Sequence, residues 1–592
     1  MSDSPDRILE LAKVQRLGPE VETLFSSGRE SLPYVRSALV DPAVELLRAG
    51  QNVALVGHEG VGRRSVALTL RRSAAWETGD AQPTLDFCTP GPHRFSWPMY
   101  CTTPRDWLAG CFYVGNLENR VGLMLKQASN DCLVLVESVH EAQGAWQGRH
   151  EASDLVDLLV DVARHPRVHL VVTATPAGWA RLRDSKRHFT DCFTVVDVPA
   201  PTPAEARVIV GLEADHLRVP TGFGNAAIEE AFRMAARHFP DQPSLGPVQR
   251  MLRAAFNAPR GRGPVAAVRE AAADLLGLAR CWVGRDLVPA GDAVTGRLEQ
   301  VVLGQHEACE AVVDDLLAWV YGLGTPGRPR SYLFAGAPGI GKTSLACELQ
   351  TVLGGPGSSP LRFDCSELTS PVDADRLLST EQAGSLVAGL LQRPAAVVLL
   401  DEIDRAHPFV RGLLYELLEG RITTLEGTTV SSLNATVIMT TNAGASAWIG
   451  RSRDDDERVA EARAATLHAC VDALGDAVLS RVSRVLVFPP LGAAVGRSIV
   501  ELEVGRLAAR PDLQERGIGV QATPRLIDAL ARTGLSDRTG ARGVQKAVHL
   551  ALAVPLARMI NEQDVARSHL VVDAVSDGED LDGVRIEVAR WN

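Results

Sequence analysis

The sequence predicts an α/β protein of two tandem modules, each a doubly wound parallel sheet followed by a small helical domain. Three observations predict it. An apolar strand, a glycine-rich turn and a helix occur at Val53–Arg71, and the same pattern returns at Tyr332–Leu349. An apolar strand ending in acid follows each, at Leu133–Glu137 and Val397–Glu402. A third apolar strand follows each of those, at Val168–Thr175 and Ala435–Asn442. Strands alternating with helical stretches read as a parallel sheet. Recurrence of the whole pattern means two such sheets.

Taken in order, residues 1–28 form an N-terminal extension and 29–200 the first α/β domain. Residues 201–258 form a first small helical domain, beginning at Pro201 and running to Phe256. Residues 259–297 are a linker, opened by the Pro/Gly/Arg turn cluster Asn257–Pro264, which reads as a hinge. The second α/β domain is 298–492, and 493–592 is a second small helical and C-terminal domain. The short acidic run Asp454–Glu457 reads as a solvated loop.

Bulk properties set limits on function. A chain of 592 residues suggests roughly four folded units at about 150 residues each. With 46% hydrophobic and 22% charged residues, it has the composition of a soluble globular protein. Its 61 Lys and Arg against 72 Asp and Glu give a net charge of −11, which argues against a nucleic-acid partner. The ten cysteines stand singly, so neither a zinc site nor a redox dithiol is expected, and reduced thiols suit a cytoplasmic protein. No run approaches the ~18 apolar residues of a membrane helix, and the acidic N-terminus is not a signal peptide.

The second glycine-rich turn carries the chemistry. Gly336-Ala337-Pro338-Gly339-Ile340-Gly341-Lys342-Thr343, with Ser344 behind it, fits the phosphate-binding pattern in full. The glycines let backbone N–H groups point at phosphates, and the following helix presents its positive end. Lys342 would reach the β- and γ-phosphates of ATP, and Thr343 would bind Mg²⁺. A plain glycine turn is the bland alternative. The strand before the loop and the helix after it supply the context that the pattern demands. Asp401 and Glu402 end an apolar strand at the sheet edge where such folds bind ligands. Asp401 would hold Mg²⁺ through water, and Glu402 would orient and deprotonate the attacking water.

With these residues in place, the chain resembles the Clp family of AAA+ unfoldases, specifically its tandem-module members. In the second half the resemblance runs from Val302 to Val571. Leu303-Gly304-Gln305 resembles the family's adenine-side element, and Asp401-Glu402-Ile403-Asp404-Arg405-Ala406-His407 its extended acidic motif. Val437–Asn442 resembles the strand that ends in a water-positioning Asn442. Leu479-Ser480-Arg481 resembles the trans-acting arginine finger, and Gly540-Ala541-Arg542 the residue that reports the γ-phosphate. The resemblance implies an Mg²⁺-dependent ATPase of a bacterial cytoplasm, a homo-oligomer assembled as a hexameric ring, and a protein client.

The first half resembles the family from Leu39 to Ala255, but its phosphate site is degenerate. In Gly57-His58-Glu59-Gly60-Val61-Gly62-Arg63-Arg64 the lysine position is Arg63 and the metal hydroxyl position is Arg64. Arginine is longer and fork-shaped, so it does not replace lysine in a tight cradle. Glu137-Ser138 stands where Asp-Glu is required, and Asp191 and Cys192 where the family has arginine fingers. The first module is therefore expected to be a structural tier without turnover.

Tyr113, within Phe112–Arg120, resembles a first-module pore loop, and packing in its own module is the competing reading. In the second module the aligned pore position is Leu377. Residues 1–28 are too few for the family's adaptor domain, and 257–298 too few for a middle coiled coil. Arg451, after Trp448-Ile449-Gly450, spoils a peptidase-docking loop. Disaggregation and a peptidase partner are not expected. Two functions stay open. One is ATP-dependent remodelling or unfolding of a protein, with hydrolysis in the second module only. The other is a nucleotide-switched ring scaffold that recruits partners in a secretion, contractile or defence system.

Overall fold

Uninterrupted runs of Val, Leu and Ala suit strands covered on both faces, as in a parallel sheet between helices. The computed structural model places them there. It describes residues 37–70, 99–104, 131–142, 155–216, 225–240, 245–257, 263–284, 287–380, 382, 384–425, 428–449, 456–536, 539–562, 568–575 and 583–590. The chain divides into two units, Met1–Val268 and Arg269–Asn592.

The first unit holds β1 (Asn52–Val56), β2 (Met99–Thr102), β3 (Cys132–Val136), β4 (Val168–Ala174) and β5 (Phe193–Asp197). Their order is β2-β3-β4-β1-β5, with every pair parallel. Strands β1, β3 and β4 are buried along their whole length. Asn52 pins the end of this sheet: its amide donates to the Ala163 carbonyl (2.7 Å) and its side-chain oxygen accepts from Leu170 N–H (2.8 Å). Helices Pro203–His216, Asn225–His238 and Leu245–Phe256 form the helical part. Tyr113, Gly115 and most of the Pro/Gly/Arg hinge lie outside the described residues.

The second unit repeats the plan with β6 (Arg330–Ala335), β7 (Leu361–Asp364), β8 (Val397–Asp401), the hairpin β9 (Arg421–Thr423) and β10 (Thr429–Ser431), β11 (Thr436–Thr441) and β12 (Arg484–Val487). The five parallel strands run β12-β6-β11-β8-β7, the same order as in the first unit. In both sheets the strand before the glycine-rich loop lies between the fourth and fifth strands of that sheet in chain order. Chain order reverses beside it, which opens a crevice at the carboxyl ends of the strands.

Three findings depart from the sequence expectations. First, most of the stretch read as linker is packed structure. Helices Pro264–Leu276 and Gly291–Val301 occupy it. Trp282 is fully buried, and its indole N–H donates to the Val352 carbonyl (2.8 Å). Second, the C-terminal domain is not purely helical. Beside helices Ala493–Ala508, Pro524–Gly534 and Ala541–Val548 it forms a sheet of β13 (Gly519–Ala522), β14 (Ser568–Val575) and β15 (Gly583–Arg590). The buried Leu570, Val572 and Ala574 show the alternation of a half-covered strand.

Third, Leu377 is no pore residue. It sits in helix Pro371–Leu378, whose start is fixed by a Ser370/Asp373 capping box, and it is 5% exposed within a hydrophobic core cluster of this unit. The segment from Ser379 to Ser385 that follows has no aromatic residue. Leu377→Ala is therefore a core truncation. It should cost about 2–5 kcal/mol of stability, read as a lower melting temperature. A variant with unchanged melting temperature would contradict this placement.

Candidate nucleotide site

The loop after β6 is shaped by its glycines. Gly339 has φ +74°, and a Cβ there would lie 2.3 Å from the Thr539 carbonyl oxygen. Gly341 has φ +106° and begins helix Lys342–Gly354. Only glycine takes both the positive φ and the close approach without strain. The loop is also tied to the helical domain, because Ala541 N–H donates to the Gly339 carbonyl (2.8 Å).

Lys342 is buried under this loop. Its ammonium donates to the carbonyls of Gly336 (2.5 Å) and Ala337 (2.8 Å) and to Asn442 Oδ1 (3.0 Å). Burial pulls its pKa down to about 8; nearby Asp401 acts in the opposite sense, and Arg542 adds to the depression. Thr343 Oγ1 donates to Asp401 Oδ1 (3.1 Å), and so does Thr440 Oγ1 (2.9 Å). Asp401 Oδ2 receives Arg362 at 2.9 and 3.0 Å.

Glu402 has φ +54°, a strained backbone for a residue with a side chain. The geometry is held by its N–H, which donates to Thr440 Oγ1 (3.0 Å). Its carboxylate pairs with Arg405 at 2.7 Å. Pro338–Ser344, Asp401, Glu402, Asn442 and Arg542 line one cleft. Val302, Leu303, Leu491, Ile499 and Leu502 give that cleft an apolar end.

Not every predicted residue reaches the cleft. Gly304 and Gln305 stand behind it. The Gln305 amide donates to the carbonyls of Ile340 and Pro489, both at 3.1 Å, and so braces the loop. Arg481 is absent from the lining. Its guanidinium bonds Glu419 (3.1 Å) and the Ala477 carbonyl (2.8 Å) and lies over the Tyr415 ring. The sequence reading missed Arg362 and Thr440, which complete the surroundings of Asp401. Thr440 lies in the Val437–Asn442 strand already singled out; nothing marked Arg362.

The residues fit a magnesium nucleotide. Thr343 and Asp401 offer a hydroxyl and a carboxylate side by side, the hard oxygen set that Mg²⁺ prefers. The glycine loop and the Lys342 ammonium suit a polyphosphate, and the apolar end suits a base. Backbone donors, a cation and a carboxylate on the strand edge are the parts that phosphoryl transfer to water requires.

The first unit keeps the backbone of this site but carries other side chains. Gly60 and Gly62 have φ +75° and +91°, as in the second loop. Ser138 has φ +50°, and its N–H donates to Thr173 Oγ1 (2.9 Å), the same device that holds Glu402. The side chains differ. Arg64 pairs with Glu137 at 3.2 Å, so an ion pair stands where the second site has Thr343 and Asp401. Arg63 is half-buried, and burial lowers its pKa. Thr175, at the position of Asn442, caps helix Pro176–Ser185 by accepting from Gly178 N–H (3.0 Å). His140, beside Arg63, is pushed down to about 4 by burial.

Comparison with known proteins agrees with this geometry. The model of the AAA domain (Cdc48 subfamily) matches residues 328–481, and that of the C-terminal, D2-small domain of ClpB protein matches 491–572. A ClpA homolog protein of Fuscovulum blasticum is 28% identical over 587 residues, covering 93% of this chain and 70% of that protein. The chaperone protein ClpB of Pseudomonas putida is 35% identical over 272 residues, 44% of this chain. The chain spans 31% of that ClpB's length. A closed-state structure of Hsp104 with ATPγS and FITC casein superposes with a TM-score of 0.68, covering 94% of this chain and 96% of the other, at 21% identity. The S. cerevisiae Hsp104–casein complex in its extended conformation also gives 0.68, at 98% coverage of both chains. At 21% identity these likenesses speak for the fold.

Proposed function

This chain belongs to the Clp/Hsp104 family of AAA+ ATPases, and from that premise we propose that it hydrolyses ATP in its second module alone to remodel or unfold a protein client. The observation that carries the proposal is the contrast between two copies of one backbone. The second holds Lys342, Thr343, Asp401, Glu402 and Asn442 around one cleft; the first holds Arg63, Arg64, Glu137, Ser138 and a capping Thr175.

The roles follow from the geometry. Bound Mg²⁺ would neutralise developing phosphate charge, held by Thr343 directly and by Asp401 through water. Lys342 would leave the loop carbonyls for the β- and γ-phosphates. Glu402 would take the proton of the attacking water, which Asn442 helps to orient. Arg542 enters the cleft from the helical domain, whose Ala541 is bonded to Gly339, so nucleotide state would be felt by that domain. Arg481, engaged outside its own cleft, would serve a neighbouring subunit in a homo-oligomeric ring, which we assign as a hexamer.

A second reading is favoured by one observation, the burial of Leu377. A second module without an exposed pore residue there suits a ring scaffold switched by ATP. Gripping, in the remodelling reading, then falls to Tyr113 of the first module. The two readings separate in one experiment with a denatured, fluorescent casein. Remodelling predicts that the casein stimulates turnover and is itself unfolded. Arg63→Ala should leave both near wild type. Tyr113→Ala should keep basal turnover and lose the unfolding. Absence of any response to casein would favour the scaffold.

A further inference from the structure

The second site contains an arginine that its proposed chemistry does not use. Arg362 comes from β7, and both its Nε (3.0 Å) and an Nη (2.9 Å) reach one oxygen of Asp401, Oδ2. The other oxygen, Oδ1, accepts from Thr343 and Thr440. Asp401 is 6% exposed, so its charge needs a partner. Without metal it has a full set: two hydroxyls and a guanidinium.

We infer that Arg362 is an exchangeable counter-ion for Asp401, occupying its charge until Mg²⁺ arrives with nucleotide and displaces it. This rests on the reading of Asp401 as the metal-side carboxylate. Three observations support exchange rather than a permanent pair. The Arg362 side chain is 55% exposed, so it has a path out to solvent. A second carboxylate, Asp364, stands two residues along the same strand and lines the same cleft. The first unit supplies the contrasting case. There Glu137 is paired with Arg64, which belongs to the glycine loop itself, at the position of Thr343. That cation stands in the place of the metal-binding hydroxyl, so the first site lacks the hydroxyl and carboxylate pair that Mg²⁺ would need. A carboxylate at the same position is thus paired beside a metal-binding hydroxyl in one site and in place of one in the other.

The consequence is a competition that can be measured without turnover. Binding of a fluorescent ADP analogue to the full chain is followed at rising Mg²⁺ and in EDTA, with Lys342→Ala as the blank for binding elsewhere. Arg362→Gln removes the competitor. The Mg²⁺ concentration for half-maximal tightening should fall by roughly tenfold, the scale of one partly exposed ion pair at a buried carboxylate. Binding in EDTA should weaken, because Asp401 is left bare beside the phosphates. Arg362→Lys, which keeps a cation, should lie nearer wild type and guards against a folding defect in the glutamine variant. An unmoved Mg²⁺ midpoint in a folded Arg362→Gln protein would overturn the inference. So would equal weakening with and without metal, which would make Arg362 a plain phosphate contact. If wild-type binding itself ignores Mg²⁺, the assignment of Asp401 fails instead.

Discussion

Glu402→Gln should lower ATP turnover about 10²- to 10⁴-fold, the contribution of a positioned general base, while leaving ATP binding close to wild type. The amide is nearly isosteric, and the features that place residue 402 do not depend on its charge. Its N–H still reaches Thr440 Oγ1, and the strained φ of +54° is a property of the turn. Such strain costs of order 1–3 kcal/mol and persists where the surroundings enforce it. Here it aims a carboxylate into the cleft beyond the end of β8. Lys342→Ala, by contrast, removes a cation from the phosphate cradle and should abolish binding as well as turnover. Because the Gln variant holds ATP without consuming it, it should also favour assembly by mass action. Light scattering with ATP should then report a large ring, and a pull-down should retain the client. Wild-type hydrolysis by Glu402→Gln would sink the site assignment, and a strict monomer at micromolar concentration would sink the ring.

Arg481→Ala should produce an equally inactive protein for a different reason. An arginine finger is worth about 10³–10⁵ in turnover, yet Arg481 does not line its own cleft; it bonds Glu419 and Ala477 and covers Tyr415. The expected result is lost turnover with intact nucleotide binding. The decisive measurement mixes two dead proteins. In a ring of Arg481→Ala and Glu402→Gln subunits, a junction can pair Glu402 of one protein with Arg481 of the other. Random mixing makes about a quarter of the junctions complete if each site is shared between head-to-tail neighbours. Turnover should therefore return on mixing. If Arg481 acts within its own chain, mixing restores nothing.

Much of the second site was legible because its chemistry is local in sequence. Phosphate binding uses consecutive backbone N–H groups, so Gly336–Thr343 stands as one readable string. The acidic pair follows an apolar run because a buried parallel strand must end at the ligand-binding edge, and this was enough to find Asp401 and Glu402. The departures of the first site from that pattern were legible for the same reason, since Arg63, Arg64 and Ser138 occupy positions within those strings. Arg362 was not legible. It meets Asp401 from another strand, 39 residues away, and no local pattern marks it. The sheet of β13–β15 was passed over because β14 takes its parallel partner β13 from far earlier in the chain, across intervening helices. Leu377 was misread as a loop position because alignment to a motif says nothing of burial.

The sequence by itself determined the class of fold, the two strand–loop–helix repeats, and which of them holds a complete set of phosphate-handling groups. These properties follow from short-range rules: periodicity of apolar residues, and contiguity of the groups that bind a phosphate. Only the tertiary structure decided how charges are balanced. It placed the Arg362 guanidinium on Asp401, the Arg64 guanidinium on Glu137, Thr175 on a helix cap and Arg481 away from its own cleft. A buried carboxylate takes whichever cation the packing brings within reach, and that choice is made between strands far apart in the chain.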